Sequence, residues 1–257
     1  MPGTMGVCPG TAKPPTGLLP GRGFPTSATR ASNAAMTTTT LIPDKDALAR
    51  VGKLVRTRLG ADPSAYKVPT DKAEIYAIGE FLTSEECKKL MMMIDVVAQP
   101  STLYDGTYKD GFRTSYSGNF DGRDPFIQSI SRRIDDALGL PGKLGETMQG
   151  QRYMTGQQFK PHHDFFYPSE DYWKTERKRG GQRSWTAMLF LNKVEQGGAT
   201  NFTNVGINIE PKPGVLLAWN NATPEGVPNQ DTLHAGTPVE QGVKYVITRW
   251  YRTRKWG

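Results

Sequence analysis

Cysteine is almost absent from this 257-residue chain, which carries only Cys8 and Cys87. Two thiols make no disulfide framework, and Cys8 falls in a stretch without a folding pattern, so the chain reads as a reduced, cytoplasmic protein. No run approaches the roughly 20 consecutive apolar residues of a membrane-spanning helix, so no membrane partner is expected. Residues 1–35 contain no acid, only Lys13, Arg22 and Arg30. The formal charge of +7 invites a nucleic-acid partner. Much of the excess, however, sits at the two ends, in those three residues and in Arg249, Arg252, Arg254 and Lys255. A diffusely basic surface is therefore expected, with no nucleic-acid groove. Histidine is also scarce: the chain has three, His162, His163 and His234.

Residues 1–40 form one compositional unit, and residues 41–257 read as a single domain with enough apolar content, 37% over the whole chain, to build a core. The first unit is rich in Pro, Gly, Ser, Thr and Ala and has no apolar period, so a disordered extension is expected. A targeting segment is amphipathic, and Pro2, Pro9, Pro14, Pro15 and Pro20 interrupt any such helix. A gene-model extension ahead of Met36 is the favoured reading. From Asp44, the residues Ala47, Leu48, Val51, Leu54, Val55 and Leu59 recur at helical spacing, with Gly60 placed as a stop. A strand is expected over 74–82. Thr83-Ser84-Glu85-Glu86 then forms a capping box for a helix through Leu90, Met91 and Ile94, with Met91–Met93 expected as core packing. Asp124-Pro125 starts a third helix that Gly139 ends.

Beyond Gly150 short strands dominate: residues 151–154, 159–163, 185–191, 200–202, 207–210, 214–219, 232–235 and 245–251. Many short strands separated by Gly, Pro and Asn turns imply a sandwich or barrel. The fold class expected is mainly β with flanking helices.

The chemistry concentrates in this region. Side chains two apart on a strand share a face, so His162 and Asp164 project together while His163 points away. With His234 arriving from a facing strand, two imidazoles and one carboxylate make the facial triad of a non-haem Fe(II) site.

Five further segments accompany the triad: Tyr153-Met154-Thr155-Gly156-Gln157-Gln158-Phe159, Gly181-Gln182-Arg183-Ser184-Trp185-Thr186, Gly197-Gly198-Ala199-Thr200, Lys244 ten residues after His234, and Trp250. This set, in this order, resembles the catalytic domain of prolyl 4-hydroxylases in the 2-oxoglutarate/Fe(II) dioxygenase superfamily, over roughly residues 70–254. The resemblance implies a double-stranded β-helix (jelly roll). It also implies iron on His162, Asp164 and His234, and 2-oxoglutarate held by Lys244, Thr200 and Tyr153. Arg183, Trp250 and Arg113 match positions that face the substrate. Dioxygen is implied as cosubstrate, ascorbate as reductant, and succinate and carbon dioxide as co-products.

The expected reaction is hydroxylation of an unactivated C–H, most simply C4 of proline in a peptide or protein. Alternatives are the same chemistry on a free amino acid or other small molecule, or a non-catalytic jelly-roll ligand-binding module. Nucleic-acid demethylation is disfavoured because those oxygenases hold 2-oxoglutarate with arginine, where this chain has Lys244. Tyr104, Tyr108, Tyr116, Tyr167, Tyr172 and Trp173 are candidates to line a polyproline groove. The loops over 99–111 and 165–180 are candidate lids. The sequence is silent on oligomeric state.

Overall fold

Every residue of the strand Arg183–Phe190 is buried, which requires cover on both faces. In the computed structural model, which describes residues 42–102 and 111–257, this strand is β7, at the centre of an antiparallel eight-stranded sheet. Its order is β1 (Ala65–Lys67), β2 (Ile75–Ile78), β11 (Leu216–Asn220), β7, β14 (Lys244–Arg252), β5 (Gln149–Tyr153), β4 (Tyr116–Asn119) and β3 (Gln99–Pro100). A second sheet runs β10 (Ile207–Ile209), β9 (Thr200–Phe202), β12 (His234–Gly236), β6 (Phe159–His162). A small pair, β8 (Gln196–Gly197) with β13 (Val239–Gln241), completes the strands. The architecture is a mainly β jelly roll. The N-terminal extension expected to be disordered lies outside the described residues, as do Tyr104 and Tyr108. No described helix is long and apolar enough to cross a membrane.

Strand parity sorts the core into two. Trp185, Ala187 and Leu189 of β7, Leu216 and Ala218 of β11, and Ile247 and Tyr251 of β14 pack with the helices α1 (Lys45–Gly60), α2 (Ser84–Val97) and α3 (Pro125–Leu138). Met188 and Phe190, Leu217 and Trp219, and Val246 pack between the sheets with Phe202 and Val239. Side chains of this second parity are the ones available to build a site. Close seating of α2 depends on a missing side chain: a Cβ on Gly150 would meet Ile94 at 2.4 Å.

The helix ends follow local chemistry in two cases and depart from it in one. Thr83 accepts from Glu86 N, and Glu86 accepts from Thr83 N. Asp124 accepts from Phe126 N and Ile127 N, and Gly139 closes α3 at φ 65°. α1 differs. Asp44 makes no cap bond; its carboxylate instead accepts from Gln182 N at 2.9 Å and Thr253 Oγ1 at 3.0 Å. Gly60 is the last helical residue rather than the stop, and Leu54 is 55% exposed because it lies off the face set by Leu48, Val51, Val55 and Leu59. Of the three methionines in α2, Met91 and Met93 pack at the core's edge and Met92 is exposed.

Strand boundaries shift by at most two residues, except that β2 ends well short of residue 82. The segment expected as a strand over 232–235 divides into a 3₁₀ turn, Gln230–Thr232, and β12. Four strands of three residues or fewer, β1, β3, β8 and β13, were not expected, since so few residues carry no readable period.

Candidate active site

β12 pairs antiparallel with β6 so that His234 stands opposite His162, with ring centroids 4.3 Å apart. Asp164 does not reach them by strand parity. β6 ends at His162, and Asp164 lies in the bend that follows. Its carboxylate is fastened from β7: the Thr186 hydroxyl donates to Asp164 Oδ2 at 2.7 Å, and Asn221 Nδ2 donates to Thr186 Oγ1 at 3.0 Å. The ligand atoms of His162, Asp164 and His234 all lie within 4.8 Å of one another.

The tautomers follow from the hydrogen bonds. His162 Nδ1 faces the Lys160 carbonyl at 2.8 Å, and His234 Nδ1 faces the Thr232 carbonyl at 2.9 Å. A carbonyl only accepts, so each Nδ1 carries the proton and each Nε2 presents a lone pair. Burial, with His234 beside it, pushes His162 down to about 3 and keeps it neutral. Burial alone would raise the Asp164 carboxyl. His234, His162 and Arg183 nearby, with the Thr186 bond, hold it instead below the usual carboxylate range. Two imidazoles and one carboxylate grouped in this way fit a divalent iron with open coordination positions. His163 is turned elsewhere: Nδ1 is 2.7 Å from the Tyr167 hydroxyl, and Nε2 donates to the Gln230 carbonyl at 3.0 Å.

The triad stands between an inner cleft and an outer groove, and Phe159, His162, Asp164 and Trp250 line both. Tyr153, Met188, Thr200, Lys244 and Thr248 line the inner one. Lys244, opposite Tyr153 in the sheet, is 3% exposed, and its Nζ lies 5.6 Å from the Tyr153 ring and 5.8 Å from that of Phe190. Burial drops its pKa to about 7 against the opposing charge of Glu210, and among the described residues no salt bridge reaches it. A cation so placed calls for an anion. Thr200 is buried in the same cleft. The Tyr153 hydroxyl, whose pKa burial raises, donates to Gln151 Oε1 at 2.9 Å, and Gln151 Nε2 donates to Thr248 Oγ1 at 3.0 Å.

The outer groove encloses about 420 Å³, and Arg113, Arg183 and Trp250 line it. Arg113 lies 4.9 Å over the Phe159 ring and donates to Gln149 Oε1 at 3.1 Å. Arg183 stacks 4.1 Å over Trp250 and grips Glu146 with two bonds of 2.7 and 2.8 Å. Arg252 donates to the same Glu146 at 2.5 Å. Burial alone would raise Glu146, and the two guanidiniums hold it low. The aromatic lining differs from expectation. Phe112, Phe159, Trp250 and Trp256 line the groove, whereas Tyr116, Tyr167, Tyr172 and Trp173 do not. Trp173 is buried behind it, and Tyr116 sits under Arg152. Nor is the segment over 165–180 a loose lid: Phe165, Phe166 and Trp173 are buried, and Gln182 bonds both the N–H and the carbonyl of Phe166.

Three participants escaped sequence reasoning. Thr186 shares the inward parity of Met188 and was findable by counting along β7. Glu146 and Trp256 lie in segments without periodicity, and nothing local marks them.

Residues 148–252 match the sequence profile of the 2OG-Fe(II) oxygenase superfamily. The chain is 32% identical over 209 residues to "Probable prolyl 4-hydroxylase 10" of Arabidopsis thaliana, covering 72% of this chain and 70% of the relative. It is 34% identical over 194 residues to "Probable prolyl 4-hydroxylase 3" of the same plant, covering 66% of each. Among solved structures it is similar to the viral collagen prolyl hydroxylase of Paramecium Bursaria Chlorella virus-1 in its 2OG complex. There the TM-score is 0.54 at 26% identity, over 68% of this chain and 94% of the viral one.

Proposed function

The chain belongs to the prolyl 4-hydroxylase group of the 2OG-Fe(II) oxygenase superfamily, and from that premise we propose that it hydroxylates C4 of proline within a polypeptide. It is a 2-oxoglutarate-dependent dioxygenase, with Fe(II) as its metal and dioxygen as second cosubstrate. One observation carries the substrate reading: His162 and Asp164 of the metal triad line both the inner cleft and the outer groove. Two molecules can thus meet at one centre from opposite sides.

His162 Nε2, His234 Nε2 and the Asp164 carboxylate would hold the iron. Bound there, Fe(II) with 2-oxoglutarate and dioxygen supplies the oxidising power to hydroxylate an unactivated C–H bond, releasing succinate and carbon dioxide. The chain's own part is placement and exclusion of water. Lys244 takes the far carboxylate of 2-oxoglutarate, with the hydroxyls of Thr200 and Tyr153 beside it. Met188, Trp219 and Val246 keep that cleft apolar, which strengthens the Lys244 contact. Trp250 and Phe159 line both spaces with His162 and Asp164, so a proline ring lying in the groove would sit beside the residues that would hold the metal. Arg183, fixed by Glu146, stiffens Trp250 from above. Ascorbate is the proposed reductant.

The test is succinate release by the iron-loaded protein across proline-rich peptides, free proline and small organic acids, with the product located by mass spectrometry. Hydroxyl on C4 of peptidyl proline is the expected result. Turnover of free proline alone would replace this reading with the small-molecule one.

A further inference from the structure

The outer groove opens onto a cluster of cations that the chemistry at the metal does not use. Its described lining carries four guanidiniums, Arg113, Arg179, Arg183 and Arg252, against two carboxylates, Glu146 and Asp164. One of those carboxylates belongs to the metal triad. At its edge, hydrogen bonds to main-chain carbonyls bring the backbone of three basic residues beside the segment that carries Trp256 and Lys255. Trp256 N donates to the Lys143 carbonyl at 2.9 Å, and Gly257 N to the Arg179 carbonyl at 3.2 Å. Arg254 Nη2 reaches the Arg177 carbonyl at 2.6 Å. Lys143, Arg177, Arg179 and Lys255 are all exposed.

Among the described residues, two acids of this neighbourhood are already engaged. Glu176 is buried and bonded to Arg252 through one oxygen; its other oxygen lies 3.7 Å from Arg179, too far for a hydrogen bond. Asp44 is held by Arg254, Thr253 and Gln182. Arg179 is thus a half-exposed cation, 5.7 Å over the Trp256 ring, at the edge of the groove.

We propose that the polypeptide substrate carries acidic side chains beside the hydroxylated proline, and that these dock on the basic rim formed by Arg179, Lys143, Arg177 and Lys255 around Trp256. The proposal rests on the reading that the groove takes a peptidyl proline. The rim is continuous with the groove through Arg179 and Trp256, so the anionic groups belong to the same chain that presents the proline. Exposed pairs contribute modestly each, so two or three together amount to about three- to tenfold in apparent affinity at low salt, and screening removes most of it at high salt.

The experiment uses the full chain, iron-loaded, with three peptides sharing one proline core and flanked on both sides by Glu, Gln or Lys. KM is measured for each at low and high ionic strength, for the parent and for the double variant Lys143→Glu/Arg179→Glu. The expected result is a KM for the Glu peptide about three- to tenfold below that of the Gln peptide, with the Lys peptide weakest. Salt should compress the series. In the double variant the Glu-to-Lys ratio of KM should invert, a within-protein ratio that survives partial loss of folded enzyme. Equal KM for the Glu and Gln peptides would overturn the acidic preference while leaving proline hydroxylation standing. Failure to hydroxylate any of them would overturn the reading beneath it. Anisotropy of the same peptides carrying a fluorescent label would then decide the charge preference by itself. A single-stranded oligonucleotide that competed more strongly than the Glu peptide would also overturn the proposal, since the rim would then be serving phosphates.

Discussion

Thr186 Oγ1 lies 2.7 Å from Asp164 Oδ2 and itself accepts a hydrogen bond from Asn221. The Thr186 proton is therefore committed to the carboxylate, and the chain of donation aims a residue that no strand holds. Thr186→Val should lower the affinity for Fe(II) or Mn(II) by about tenfold, the lower end of what an outer hydrogen bond to a metal ligand contributes. Thr186→Ser should restore it. Metal titration of the apo protein followed by the free-Mn(II) resonance reads this without turnover. A Val variant with parental affinity would mean that Asp164 is held by its backbone alone.

His162→Ala, Asp164→Ala and His234→Ala are each expected to abolish turnover and metal binding while leaving a folded protein. His163→Ala should keep its metal, because both its ring nitrogens face Tyr167 and Gln230. Stoichiometry of bound metal, with circular dichroism as the folding control, separates the four. Metal loss in the His163 variant together with retention in His162→Ala would reverse the assignment.

Lys244→Ala should raise KM for 2-oxoglutarate by about 10- to 100-fold, the equivalent of the roughly 1.5–3 kcal/mol of a charge-assisted contact, with little effect on metal affinity. Lys244→Arg should rescue only in part, since its planar fork aims donors differently. The pH dependence has a definite sign. Burial puts Lys244 at about 7 against an ordinary 10.5. Between those values the unfolded chain holds the proton and the folded chain does not, so Lys244 makes the cosubstrate-free protein more stable as pH rises. Cosubstrate binding runs the other way, because the carboxylate needs the charged ammonium and affinity falls as pH rises above about 7. Thermal unfolding and KM measured from about pH 7 to about pH 9 should move in opposite directions in the parent, and the cosubstrate trend should flatten in Lys244→Arg. Parallel trends would show that another group governs both.

Glu146→Gln leaves the buried guanidiniums of Arg183 and Arg252 without their shared carboxylate. Removing one partner of a buried ion pair costs about 3–5 kcal/mol, so a loss on that order is expected in denaturant unfolding. A second readout concerns Trp250, which Arg183 covers at 4.1 Å. Peptide KM should rise more than KM for 2-oxoglutarate, since Arg183 lines the outer groove and not the inner cleft. Equal rises would point to general destabilisation.

What the chain determines locally was legible before any tertiary structure. The capping box at Thr83, the Asp124-Pro125 start and the Gly139 stop rest on contacts within four residues. The inward face of β14 follows from a period of two, which puts Lys244, Val246, Thr248 and Trp250 on one side. The histidine pair was legible because strand register and motif order are both one-dimensional. Tertiary structure decided the rest. Asp164 lies beyond the end of β6, and its placement depends on Thr186 and Asn221, 22 and 57 positions later. Glu146 has a role only because β7 and β14 deliver Arg183 and Arg252 to one point. Asp44, next to the start of α1, caps nothing and serves Gln182 and Thr253, since a carboxylate goes to whichever donors the fold brings closest. Local pattern specifies which face a side chain takes. Which partner it meets there is a long-range matter, settled when the sheets close on each other and water leaves the space between them.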